Sequence, residues 1–139
     1  MTDEFKYAVV CVDDDSAILQ ILNFQLSKII NDNTVLIECF LNPQIALTAI
    51  DELFESGLKL IFVIVDFQMP YLNGAELILS IKEKYPQLPC IMLSGQANES
   101  QVENLKDNNL LTAYLEKPWT ESDLKKIIDI QTQGYLIAK

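Results

Sequence analysis

A doubly wound α/β domain built on five parallel strands is the fold this sequence predicts, and three observations predict it. Short runs rich in aliphatic residues alternate five times with longer helical patterns. The middle strand runs are nearly continuous in apolar residues, which suits strands covered on both faces, as in a parallel sheet. At 139 residues, 50% of them hydrophobic, the chain has the size of one domain with one core.

The elements follow in order. The first strand is "YAVVCV" (7–12), and the helix over 16–30 places Ile18, Leu19, Leu22, Leu26 and Ile29 on one stripe. The second strand is "TVLIECF" (34–40); after it, Asn42 as N-cap and Pro43 at the first helical position open a helix over 43–54. The third strand is "LIFVIV" (60–65), followed by a helix over 74–85 that "YPQLP" stops. "CIML" (90–93) is the fourth strand, and the helix after it, 98–107, has little more than Val102 and Leu105 as apolar anchors. The fifth strand is "AYLE" (113–116). "TESD" then opens a helix over 120–133 as an N-cap with an acidic residue three positions on, and Leu124, Ile127, Ile128 and Gln131 continue it. Right-handed crossovers give this (βα)₅ chain the flavodoxin-like sheet order 2-1-3-4-5. Such sheets bind ligands beyond the carboxyl ends of their strands, at the switch point between strands 1 and 3.

Composition excludes several chemistries. The formal net charge is −10, all ten basic residues are lysines, and there is neither arginine nor histidine. So acidic a chain, with no arginine for phosphate forks or base edges, is not expected to bind nucleic acid directly. Without histidine it holds no histidine triad and no histidine metal ligand, so any metal must be a hard, oxygen-loving one. Cys11, Cys39 and Cys90 are far apart in sequence, each in an apolar run, and read as core thiols in a reducing compartment. "TDEFK" after Met1 is no signal peptide, and "LIFVIV" is too short to span a membrane, so the expected location is the cytoplasm.

The strand ends carry the chemistry. Strand 1 runs into Asp13, Asp14 and Asp15; strand 3 ends at Asp66, strand 4 at Ser94 and strand 5 at Lys117. With strands 1 and 3 adjacent, Asp13, Asp14 and Asp66 converge, flanked by a hydroxyl and an ammonium. Three carboxylates with no arginine or histidine call for a hard cation, and Mg²⁺ is the natural fit. Asp66 can then act as a nucleophile toward a phosphoryl group, while Mg²⁺ and Lys117 neutralise phosphoryl oxygens and Ser94 donates a hydrogen bond.

An acidic pair, "DFQMPYLNG", "SG" and "KP" in this order resemble the receiver domain of two-component response regulators, over essentially the whole chain, 1–139. The resemblance implies that Asp66 is the phosphoacceptor, that Asp14 binds Mg²⁺ directly while Asp13 holds the metal's waters, and that the Gln68 backbone carbonyl supplies a further ligand. It makes Ser94 and Tyr114 the switch residues and Lys117 the lysine of the site, with a cis bond to Pro118. By the same resemblance Gln68 and Gln96, which flank the site, would tune the lifetime of the acyl phosphate. The phosphoryl donor is then a histidine kinase or phosphotransfer protein. The signal leaves through helix 4, strand 5 and helix 5 to a protein partner, an output domain or a second receiver. Asn73 departs from the acid often found in the "MP--DG" turn, and "KPW" resembles receivers attached to larger signalling proteins. Asp15 is a surface or capping residue, Met69-Pro70 and Gly74 turn the chain, and Trp119 packs at the pocket rim.

Other classes compete. A haloacid-dehalogenase-like phosphatase would use Asp13 as nucleophile and Asp15 as acid/base, but it expects Thr or Val where Ala17 stands, and there is no cap domain. A flavin-phosphate binder would meet three repelling carboxylates at its phosphate loop. A docking-only receiver would have lost groups that this chain keeps.

Overall fold

The computed structural model describes residues 5–70, 72–95 and 100–135. Its elements are β1 (Tyr7–Val12), α1 (Ser16–Ile30), β2 (Val35–Phe40), α2 (Pro43–Glu55), β3 (Lys59–Asp66), α3 (Gly74–Lys84), β4 (Cys90–Ser94), α4 (Ser100–Asp107), β5 (Ala113–Glu116) and α5 (Glu121–Thr132). All strand pairs are parallel and the order is β2-β1-β3-β4-β5, the expected doubly wound order.

Alternation along the strands builds two cores. Ala8, Val10 and Val12 face one side with Ile50 of α2, Ile78 of α3 and Val102 and Leu105 of α4. Val9 and Cys11 face the other with Leu22 and Leu26 of α1 and Leu124 and Ile128 of α5. The covered strands β1, β3 and β4 are buried almost throughout, which is why their sequences lack a polar alternation.

The capping signals act as predicted. The Asn42 side chain accepts from the amides of Gln44 and Ile45, with Pro43 in the first turn, and Thr120 accepts from the Asp123 amide. β3 extends one residue beyond the predicted run at each end, because Lys59 pairs with Tyr7 and Asp66 with Leu93. The stripe of α1 closes with Ile30 buried rather than Ile29, next to the left-handed cap Asn31, whose amide donates to Ser27. α3 stops at Lys84 with Tyr85 as its cap. The first residues assigned to the fourth helix, 98 and 99, lie outside the described residues.

Among the described residues no helix is long and apolar enough to cross a membrane.

Candidate functional site

The three aspartates after β1 have three different positions. Asp13 is fully buried; its amide donates to the Phe40 carbonyl (3.1 Å) and its Oδ1 accepts from the Asp15 amide (2.9 Å). Asp14 is exposed. Asp15 is the N-cap of α1, accepting from the Ala17 amide at 2.9 Å. Asp66, the last residue of β3, and Ser94, the last of β4, are both buried. Lys117 follows β5, its amide held by the Ser94 carbonyl at 2.8 Å and its peptide bond to Pro118 cis.

These segments meet at one point. The Lys117 ammonium lies 2.7 Å from Asp66 Oδ1 and 3.3 Å from Asp13 Oδ2. Asp13, Asp14 and Asp66 each offer a carboxylate oxygen within 4.8 Å of the others. One ammonium faces three carboxylates, so negative charge is in excess, and a set made only of hard oxygens fits a divalent cation such as Mg²⁺.

Burial governs the protonation of this group. It is the leading cause that raises the Asp13 carboxyl to about 6, with the charge of Asp66 adding to it and the Asp15 amide and Lys117 opposing. Asp66 is raised for the same first reason, against the pull of Lys117 and with Asp14 adding repulsion. Burial works against the charge on Lys117, but the hydrogen bond and charge of Asp66, joined by Asp13, outweigh it and raise its pKa.

A pH dependence follows. Carboxyls raised on folding hold more protons in the folded than in the unfolded chain, so stability falls as pH rises from the unfolded pKa of 3.8 through about 6. With a chelator present, urea unfolding is expected to show Asp13 removing about 2 kcal/mol between about pH 4 and about pH 7. Mg²⁺ is expected to shrink that loss, because a cation favours the ionised carboxylates. A stability that rises over this interval without metal contradicts the assignment.

Tyr114 of β5 is half-buried and pairs with Met92; its ring lies 4.7 Å from the Lys106 ammonium of α4. Its hydroxyl is buried with no hydrogen-bond partner among the described residues. Tyr114→Phe is therefore expected to leave stability unchanged or raise it by about 1 kcal/mol in urea unfolding. A loss of that size would mean that the hydroxyl has a partner.

Gln68 is exposed at the rim, two positions beyond Asp66, while Gln96 lies outside the described residues. The Trp119 indole donates to Gln25 Oε1 at 2.9 Å, and with Ile18, Ile21, Lys117 and Pro118 it lines a groove of about 300 Å³ beside the lysine. A larger cavity, about 440 Å³, lies at the opposite end of the sheet around Phe54, Tyr85 and Leu88, away from the carboxylates.

Asn73 has a role that sequence reasoning missed. Its side chain accepts from the Glu76 amide while the Glu76 carboxylate accepts from the Asn73 amide, a capping box at the start of α3. The signal was present in "NGAE", an N-cap type followed three residues later by glutamate.

Comparison with known proteins agrees with this fold. The family described as "Response regulator receiver domain" matches residues 9–129. A stretch of 66 residues, 48% of the chain, is 36% identical to "Autoinducer 1 sensor kinase/phosphatase LuxN" of Vibrio harveyi, covering 8% of that protein. Over 125 residues, 89% of the chain, it is 28% identical to "Protein-glutamate methylesterase/protein-glutamine glutaminase" of Trichodesmium erythraeum, covering 34% of it. The chain thus spans a minor part of both relatives. Among solved structures, a response regulator receiver domain protein from Clostridium thermocellum superposes with a TM-score of 0.73 at 26% identity, over 90% of this chain and 93% of that one.

Proposed function

The chain belongs to the response regulator receiver family, and from that premise we propose that residues 1–139 act as a single receiver that accepts a phosphoryl group on Asp66. The observation that carries this reading is the Lys117 ammonium bridging Asp66 and Asp13 at the mouth of the sheet, with Asp14 in reach of a shared cation.

Asp66 is the nucleophile. Its carboxylate oxygen forms a bond to phosphorus as the bond from phosphorus to the donor breaks, giving an aspartyl phosphate and the free donor. The donor is a phosphohistidine on a histidine kinase or phosphotransfer protein, since this chain has no histidine. Asp14, Asp66 and the Gln68 backbone carbonyl would hold Mg²⁺, with Asp13 holding the metal's waters, and the bound ion would supply positive charge against the phosphoryl oxygens. Lys117 moves its ammonium from carboxylate to phosphoryl oxygen, and the Ser94 hydroxyl donates to the new phosphate. No general base is needed, because an ionised carboxylate is already the nucleophile. The receiver promotes only its own phosphorylation and dephosphorylation.

The direct test is incubation with acetyl phosphate and Mg²⁺. The expected product is an acyl phosphate, labile to hydroxylamine, that peptide mapping places on Asp66. Phosphate on Asp13 would favour a phosphatase of the Asp13/Asp15 type, and no phosphorylation by any donor would favour a docking-only receiver.

Phosphate adds about one to two negative charges at the strand ends. Ser94 turning toward it opens space beside β4 into which Tyr114 can move. α4 is the element that repacks most easily, being eight residues long with Val102 and Leu105 as its buried anchors. The output face is accordingly α4, β5 and α5, read by a protein partner, an output domain or a second receiver. Backbone NMR with beryllofluoride is expected to move residues 100–116; shifts confined to the loops around Asp66 would refute this route.

A further inference from the structure

Cys11 and Cys39, 28 residues apart in sequence, are register partners on the adjacent parallel strands β1 and β2. Register partners point to the same face of a sheet, with backbones about 4.8 Å apart, inside the Cα separation that disulfides span. Both side chains belong to the core between the sheet and α1, whereas Cys90 lies in the core on the opposite face. Cys11 is fully buried, while Cys39 is half-buried on β2, an edge strand that small solutes can reach.

We propose that Cys11 and Cys39 form a redox-modification site that closes to a disulfide under peroxide and reopens under thiol reductants. Cys39 is the sulfur oxidised first and Cys11 the resolving one. The Cys39 sulfur takes one oxygen from hydrogen peroxide, giving a sulfenic acid and one water. The Cys11 sulfur then displaces that oxygen as a second water, and two thiols have become one disulfide by a two-electron oxidation. Position supports this division of labour: Cys39, half-buried on the edge strand, meets peroxide from solvent, while Cys11, fully buried beside it in register, meets only the oxidised Cys39 sulfur. In a reducing compartment such a bond is transient, which suits a sensor rather than a structural staple. Closure would tie the edge strand to β1 two residues before Asp13.

The test treats the whole protein with hydrogen peroxide, quenches it, denatures it and alkylates the remaining thiols. The expected result is an intact mass lower by two hydrogens before alkylation, then alkylation at Cys90 alone and a peptide joining Cys11 to Cys39, with the disulfide reversed by dithiothreitol. Cys39→Ser, at the half-buried position, is expected to keep the native circular dichroism spectrum and to lose the disulfide completely. Three alkylated thiols after peroxide, a link involving Cys90 or another molecule, or a Cys39 sulfenic or sulfinic acid that leaves Cys11 alkylated would each overturn the proposal.

Discussion

Replacing Asp66 by asparagine is expected to abolish phosphoryl uptake while leaving the protein folded. An amide is no nucleophile, so the bond to phosphorus cannot form from this position. The fold should tolerate the change, because asparagine has nearly the same shape and its carbonyl oxygen can still accept from Lys117, 2.7 Å away in the wild type. Asp66 is buried and its charge is opposed by burial and by Asp14, so removing that charge is expected to raise stability when no cation is bound. Lys117→Ala tests the other half of the site. It is expected to retain Mg²⁺ binding but to slow phosphorylation about a hundredfold, the scale for losing one preorganised charge at a developing anion. Mass spectrometry after acetyl phosphate treatment reads both variants. Full phosphorylation of the asparagine variant at Asp13 would transfer the nucleophile to that residue.

Gly74→Ala is expected to destabilise the protein by about 3 kcal/mol, at the upper end of what overpacking typically causes. The reason is close approach rather than a special backbone angle. A Cβ at position 74 would lie 2.3 Å from the Asp66 carbonyl oxygen and 2.8 Å from the Phe67 Cα, both backbone atoms that no rotamer change can move aside. The Gly74 amide also donates to the Phe67 carbonyl at 2.8 Å, pinning the start of α3 against the end of β3. Any relaxation must move one of these segments, and Asp66 sits on one of them. Urea unfolding should show the loss of stability, and acetyl phosphate should show slower phosphorylation in the same variant. A loss of stability with an unchanged phosphorylation rate would mean that α3 yields and β3 does not.

Much of this architecture was legible because its signals are local. Apolar runs of strand length, "NP" before α2 and "TESD" before α5 each act within one turn of chain, and right-handed crossovers then leave a few doubly wound orders, of which 2-1-3-4-5 is one. The candidate site was legible for a related reason, since a doubly wound sheet gathers the ends of β1, β3 and β5 whatever lies between them. What escaped depends on neighbours in space. Lys59 looked like the residue before a strand, but pairing with Tyr7 starts β3 there. Cys11 and Cys39 looked scattered because sequence distance says nothing of register. Asp51 receives the Tyr85 hydroxyl and the Lys84 ammonium (2.9 Å), joining α2 to the end of α3 through side chains 33 and 34 residues away. No periodicity announces such a tie.

The Lys117 bridge bears on how the chain is made. Lys117 lies 104 residues after Asp13 and 51 after Asp66, and it arrives with the last strand. On a ribosome, the segment through β4 can emerge and begin to pair while the lysine is still in the exit tunnel. During that interval Asp13 and Asp66 approach each other with no ammonium between them, so closing the β1–β3 junction is opposed by charge and by lost hydration. Free cations in the surroundings can relieve this, as can protons taken up by the two carboxyls. The final strand therefore completes the sheet and also delivers the counter-charge that lets its centre close, so a stalled chain ending before residue 117 should keep that junction looser than the finished protein does.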